Sequence, residues 1–233
     1  MQPPIVLLVF GATGSTGRRV LEHALARGLA VHAFVRNAAR LPEALRPRLA
    51  SVVVGDLNDS AAVAAAVRSV RPDVIVDASS ALPIGTPPGA PKNNADRTVI
   101  FRTTLAALEA EGRLGACRLL IVGGQILAEP GGDIIGCFPW TISFLLGLLI
   151  PRQWAAVKRT IAALWATPGE FDFTMLRMGY MKELPSRGAL RPALAKGNWQ
   201  RGEVAFDDVG RALVELAVDR SGAFKRQAVF LNY

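Results

Sequence analysis

The sequence reads as an α/β chain built on a doubly wound parallel sheet, with a small substrate region at the carboxyl edge of that sheet. Two observations predict it. The run Val6-Leu7-Leu8-Val9-Phe10 leads directly into Gly11-Ala12-Thr13-Gly14-Ser15-Thr16-Gly17 and then into a helix-like segment. Beyond it, apolar runs alternate with helical patterns to the end of the chain. Continuous apolar strands alternating with helices imply a parallel sheet covered on both faces. A glycine turn after the first strand makes this a doubly wound fold of the Rossmann type.

The elements follow in order. Residues 5–10 are an unbroken apolar run and form the first strand. Residues 15–28 form a helix, since Val20, Leu21, Ala24 and Leu25 fall at helical spacing and Gly28 supplies the stop. Strands are expected at 30–35, 51–55, 73–77, 117–122, 172–178 and 227–231, and helices at 59–70, 93–111, 152–166 and 207–218. Asp207 and Asp208 are expected to cap the last helix, where acids satisfy free N–H groups and the dipole. No repeat or linker divides the chain, so residues 1–233 read as one domain. Its substrate region would come from insertions near 81–91, 126–152 and 179–202. The first of these is rich in proline and glycine and follows the fourth strand, at the edge where ligands bind in such sheets.

The glycine turn has the strand–turn–helix context of a dinucleotide site. Gly11 permits the sharp turn, Gly14 lets the backbone approach a pyrophosphate, and Gly17 lets the helix pack close to the strand. The N–H groups at the helix start, around Thr13, Ser15 and Thr16, then face the phosphates. The spacing is GxxGxxG rather than GxGxxG. The second strand ends Ala33-Phe34-Val35-Arg36-Asn37, with no carboxylate for a ribose diol. Arg36 stands where an arginine favours the 2′-phosphate of NADP, and a guanidinium fork suits phosphate oxygens. Asp56 and Leu57, after the third strand, are expected near the adenine. Ser79, after the fourth, lies where the nicotinamide ribose would be, or is an ordinary turn residue.

Composition narrows the classes. Net charge is +8 with a pI near 10.3, but the basic residues are scattered and no nucleic-acid-binding signature accompanies them, so no nucleic-acid partner is expected. Cys117 and Cys137 have no CxxC spacing, and no acid or histidine cluster suits a metal, so no metal is expected. The start Met1-Gln2-Pro3-Pro4 lacks a basic leader, and a cytoplasmic location is expected. Residues 134–150 carry no charge but are interrupted by Pro139 and two glycines. Spanning a bilayer takes about 20 apolar residues, so no transmembrane segment is expected. A lid over an apolar substrate and a face for a second copy, giving a homodimer, stay open for this segment.

These residues resemble the atypical short-chain dehydrogenase/reductase family, nearest to its flavin reductase/biliverdin reductase B type and its nitrogen-repression-regulator type. The resemblance rests on Gly11 to Gly17, Val35-Arg36-Asn37, Gly55-Asp56-Leu57, Asp172-Phe173-Thr174-Met175-Leu176-Arg177 and Val204-Ala205-Phe206-Asp207-Asp208-Val209-Gly210. It implies an NADP-dependent oxidoreductase. The family's usual chemistry uses a tyrosine, a lysine four residues later, and a serine after the fifth strand. Here the matching stretch reads Trp154-Ala155-Ala156-Val157-Lys158, and the serine position reads Gly123-Gly124-Gln125. Lys158 is retained and is expected at the nicotinamide ribose, unless it is simply solvated. An indole is no proton donor near neutral pH, so ordinary ketone reduction is not expected.

Three alternatives follow. The chain transfers hydride to a flat acceptor of flavin, quinone or enone type, with Trp154, Phe138 and Trp140 as a stacking surface. Alternatively, Tyr180, at the carboxyl edge after strand 172–178, replaces the missing acid. Or the protein binds NADP without turnover as a regulator, or reuses the fold as a redox-neutral isomerase, cyclase or dehydratase on a hydrophobic metabolite. The first, with a small hydrophobic or aromatic substrate, is the reading carried forward.

Overall fold

The computed structural model describes residues 3–79, 97–124, 137–188, 190–193 and 203–233. In chain order the elements are β1 (Val6–Phe10), α1 (Ser15–Ala26), β2 (Ala30–Val35), β3 (Ser51–Val54), α2 (Ser60–Val70), β4 (Val74–Asp77), α3 (Arg97–Ala110) and β5 (Arg118–Gly124). They continue with α4 (Cys137–Leu149), α5 (Pro151–Trp165), β6 (Asp172–Met178), β7 (Tyr180–Lys182), β8 (Arg191–Ala193), β9 (Glu203–Ala205), α6 (Phe206–Val218) and β10 (Gln227–Asn232). The main sheet has the order β3-β2-β1-β4-β5-β6-β10-β8, parallel throughout except for β8, which pairs antiparallel with β10. This is the doubly wound Rossmann arrangement expected from the sequence, with the strand order reversing beside β1.

Alternation within β1 sets the two layers, because successive side chains of a strand point to opposite faces. Leu7 and Val9 join one core with Val20 and Leu21 of α1 and Leu213 and Leu216 of α6. Leu8 and Phe10 join the other with Phe34, Val63 of α2, Phe101 of α3 and Trp154 of α5. The register places Phe10 opposite Phe34 on one side and Asp77 on the other. The carboxyl ends of β1, β2 and β4 therefore reach one edge together.

Several boundaries have local causes. Asp59 is the cap of α2, accepting from the N–H groups of Ala61 and Ala62, so that helix starts one residue later than the alanine run suggests. Arg71 closes it in the left-handed region, at φ 50°. The helix expected at 93–111 appears as α3, and its first residues fall outside the described ones. The apolar run 134–150 contains helix α4, with Pro139 in the first turn, where its missing N–H costs no hydrogen bond. No helix among the described residues is long and apolar enough to cross a membrane. Residues 81–91, 126–136, 189 and 194–202, parts of the three expected substrate segments, lie outside the described residues.

The short pair β7–β9 and the edge strand β8 were not expected. β7 and β9 form a separate two-stranded parallel sheet, with Tyr180 opposite Glu203. The capping role read for Asp207 and Asp208 is corrected. The cap of α6 is Ala205, without a side-chain bond, and both acids sit inside the first turn. Asp207 accepts from His23 Nε2 at 3.0 Å, tying α6 to α1. Asp208 is fully buried, and its carboxylate accepts from the Ser186 hydroxyl, the Arg187 N–H and the Tyr233 hydroxyl. It pins the segment after β7 and the last residue of the chain to α6.

Burial alone would raise the Asp208 carboxyl, but the three hydrogen bonds and Arg211 outweigh it and hold the group below its ordinary value of 3.8. A carboxyl depressed in the folded state stabilises the protein above its unfolded pKa, and that contribution is lost as pH falls through the folded value. Asp208→Asn is expected to cost about 2 kcal/mol at neutral pH, since it leaves buried donors poorly matched. The variant should also lack the part of the acid-induced stability loss that wild type shows below the ordinary carboxylate range. Urea unfolding across that pH range measures both effects.

Candidate functional site

The turn after β1 is shaped by two close approaches. Gly11 lies at φ +72°, and a Cβ there would stand 2.7 Å from the Ala78 carbonyl carbon and the Ser79 nitrogen. The turn is thus pressed against the end of β4. At Gly17 a Cβ would stand 2.2 Å from the Gly11 oxygen, so α1 packs directly on the turn. Gly14 is different. Its backbone is extended, its N–H donates to the Gly11 oxygen at 2.9 Å, and a Cβ would meet only that oxygen, at 3.3 Å. Gly11 and Gly17 are required by the chain itself, whereas the side of Gly14 away from Gly11 is open.

Gly14 is also the cap of α1, with no side-chain bond to the helix N–H groups and no acid in the first turn. The N–H groups of Ser15, Thr16 and Gly17 lie in the first turn, where no intrahelical acceptor exists. The positive end of the dipole adds to them, making an anion cradle. Thr13 and Ser15 are half-buried, and the buried Thr16 hydroxyl sits 3.7 Å from the Met181 sulfur, joining the turn to β7.

The neighbouring strand ends lie along the same edge of the sheet. Arg36 is exposed immediately after β2, and Asn37 fixes the loop by accepting from the Ala39 N–H at 2.8 Å. Asp56 is exposed, and its carboxylate takes the Asn58 N–H at 2.8 Å and the Asn58 amide at 3.1 Å, a local turn. Leu57 is buried in the core layer on the α2 side. Ser79 is buried, and both its N–H and its hydroxyl donate to Asp77 Oδ1.

Asp77 itself, unremarked in the sequence, is the anchor of this corner. Arg97 Nε donates to Asp77 Oδ2 at 2.8 Å, and Arg97 Nη1 donates to the Val122 carbonyl at 2.9 Å. One nearly buried ion pair therefore clamps the ends of β4 and β5 to the start of α3. The available signal was an aspartate ending an otherwise apolar strand.

At the other end, Trp154 and Lys158 do come together. Trp154 is 4% exposed and belongs to the core, while Lys158, one turn on, is exposed. They face α4 across a groove of about 370 Å³, completed by Ser143, Phe144, Gly147 and Leu148. Phe138 and Trp140 lie on α4, but their side chains are outside the described residues. Tyr180 does not line that groove. It is 55% exposed on β7, with the Lys182 ammonium 5.5 Å from its ring centre and Lys182 paired to Glu203.

A second cavity, about 550 Å³, lies at the opposite edge, between the starts of β1, β4, β5 and β6. Its chief polar groups, Arg118 and Asp172, are paired at 2.7 Å, and burial pushes the Cys117 thiol there up to about 12, so it is no nucleophile at neutral pH. Ligands of open α/β sheets bind at the carboxyl edge, so the smaller groove and the glycine turn are the candidate site. No metal-holding group of three histidine, cysteine or acidic residues occurs among the described residues.

The glycines separate by experiment. Gly17→Ala is expected to lower the unfolding midpoint severely or abolish folding, because backbone on both sides must shift. Gly14→Ala should stay within about 1 kcal/mol of wild type, since alanine adopts its backbone conformation. Thermal unfolding of the two variants distinguishes them.

A family model described as NAD(P)H-binding matches residues 11–220. A curated relative from Streptomyces, named 3-diazoavenalumate denitrifying reductase, is 34% identical over 181 residues, which is 75% of this chain and 55% of that protein. The chain thus spans about half the length of that relative. Among solved structures, ChuY from Escherichia coli O157:H7, titled an anaerobillin reductase, is similar with a TM-score of 0.69 at 24% identity, covering 97% of this chain and 95% of that one. A wide-type short-chain dehydrogenase/reductase from Veillonella parvula, solved with NADP, gives 0.70 at 14% identity, covering 97% and 94%. The glycine turn lies within the matched region, and the chain belongs to the NAD(P)H-binding family.

Proposed function

We propose that this protein is an NADPH-dependent reductase of a small apolar or aromatic acceptor. The observation that carries the reading is the turn at Gly14, whose open outer side and free first-turn N–H groups fit a pyrophosphate. Arg36, exposed beside it with no acid at the end of β2, fits the 2′-phosphate of NADPH rather than the bare diol of NADH. Asp56 and the edge of Leu57 border the base, and Ser79, oriented by Asp77, borders the nicotinamide ribose. The reductase named among the relatives supports the same reaction class.

When bound, NADPH would supply a hydride, that is one proton with two electrons. The chain's residues must then hold the acceptor flat and leave a route for one proton. Trp154 offers no proton. Tyr180 does not line the α4–α5 groove, and for flavin- or quinone-type acceptors water supplies the proton. Trp154 and Phe144 give the groove aromatic walls that suit conjugated acceptors. A second reading, a regulator that binds NADP without turnover, is favoured by the same Trp154 standing in the tyrosine position.

Titration of the purified protein should show saturable NADPH binding with a clear preference over NADH. Arg36→Ala is expected to weaken NADPH by about tenfold or more and NADH little, the loss of a charge-assisted phosphate contact. Equal losses for both would remove Arg36 from the 2′-phosphate. Gly14→Ala should weaken both while leaving the fold intact. Sustained NADPH consumption with any flavin, quinone or conjugated enone excludes the regulator. Binding without turnover across that panel would exclude the reductase.

A further inference from the structure

Among the described residues lining the groove between α4 and α5, the one charged side chain is Lys158. Residues 134–169 contain no aspartate or glutamate, while Arg152, Lys158 and Arg159 lie within them and are all exposed. Among the described residues no acidic side chain is paired with Lys158. Trp154 forms a rigid floor, since it is 4% exposed and packed with Val157 and Ile161. Phe144 and Leu148 wall the groove and remain 59% and 69% exposed. Gly147 keeps the ring edge open, because even a Cβ there would stand 3.5 Å from Trp154 Cδ1. Positions four apart share a helix face, so the Lys158 side chain rises on the Trp154 side of α5, near the Ser143 hydroxyl that also lines the groove.

From this arrangement we infer that the groove takes a planar conjugated carboxylate. Its apolar body lies against Trp154 between Phe144 and Leu148, and its carboxylate meets the Lys158 ammonium. The volume of about 370 Å³ is that of a small-ligand site, largely apolar with a few orienting polar groups. A neutral ligand would leave the lysine to water, whereas an anion gains from a groove whose described lining holds no competing carboxylate. The inference rests on the reductase reading for its chemistry and deepens it by naming the acceptor class. It assigns Lys158 to the acceptor rather than to the nicotinamide ribose.

The test is calorimetric titration of the full chain, without cofactor, by cinnamate and by its neutral isostere cinnamamide. Cinnamate is expected to bind about fivefold more tightly at low ionic strength, with the advantage shrinking as salt is added. Lys158→Gln should bring cinnamate down to the cinnamamide level and leave NADPH affinity unchanged, and Gly147→Val should weaken both probes. Equal binding of the two probes, or no binding of either, overturns the inference. So does a Lys158→Gln variant that loses NADPH affinity while keeping its preference for cinnamate, because the lysine then serves the ribose. Failure of acceptor turnover with the anion preference intact would count against the reductase alone.

Discussion

The contact on which the rest of the site depends is the approach of the Gly11 turn to the end of β4. A Cβ at Gly11 would stand 2.7 Å from two backbone atoms of Ala78 and Ser79, and one at Gly17 would stand 2.2 Å from the Gly11 oxygen. Two strand ends, a turn and a helix start are thus packed backbone to backbone, with no side chain between them. Interiors are close-packed, so such a junction has little room to adjust. It fixes the N-terminus of α1 at the switch point of the sheet, where a phosphate-binding helix end is useful. The Asp77–Arg97 pair holds the next corner by tying β4, β5 and α3 together. A buried ion pair of this kind is expensive to break from one side, because the remaining charge stays desolvated.

The two ends of the candidate site have different characters. At the proposed cofactor end the candidate groups are backbone N–H groups and a short list of side chains, and the glycine turn lies within the matched residues 11–220. At the acceptor end the residues that usually move a proton are changed. The tryptophan in the tyrosine position is built into the core, which makes it a wall rather than a reagent. The apolar helix α4 then stands over it with four large side chains exposed, Phe144, Leu145, Leu148 and Leu149. A Rossmann fold does not dictate a reaction, and in the proposed reading the chemistry of this one depends on what the α4–α5 groove accepts.

Much of this was legible in the sequence because it rests on local rules. Apolar runs bounded by glycine, proline and aspartate gave the strands, and the three glycines announced the turn. What was missed depends on contacts distant in sequence. Asp208 looks like a capping acid by position, yet it lies at the crossing of α6, the segment after β7 and the C-terminal Tyr233, and nothing near it in sequence announces partners 22 to 25 residues away. The pairing of β7 with β9 joins two runs too short to show a period. Arg97 reads as one more surface arginine until α3 is folded back on β4. Leu57, expected beside the adenine, also has its side chain in the core layer on the α2 side, a packing that the sequence of its turn does not announce.

The central claim is that the first turn of α1 binds the cofactor's phosphates at the carboxyl edge. The most direct measurement is the change in backbone amide ¹H–¹⁵N chemical shifts as NADPH is added to the labelled protein. The account predicts that the largest shifts fall on Gly14, Ser15, Thr16 and Gly17, with a second group at Arg36 and Asn37. Shifts centred instead on the amino-edge cavity, around Asp73, Cys117 and Arg118, with the glycine turn unmoved, would contradict it.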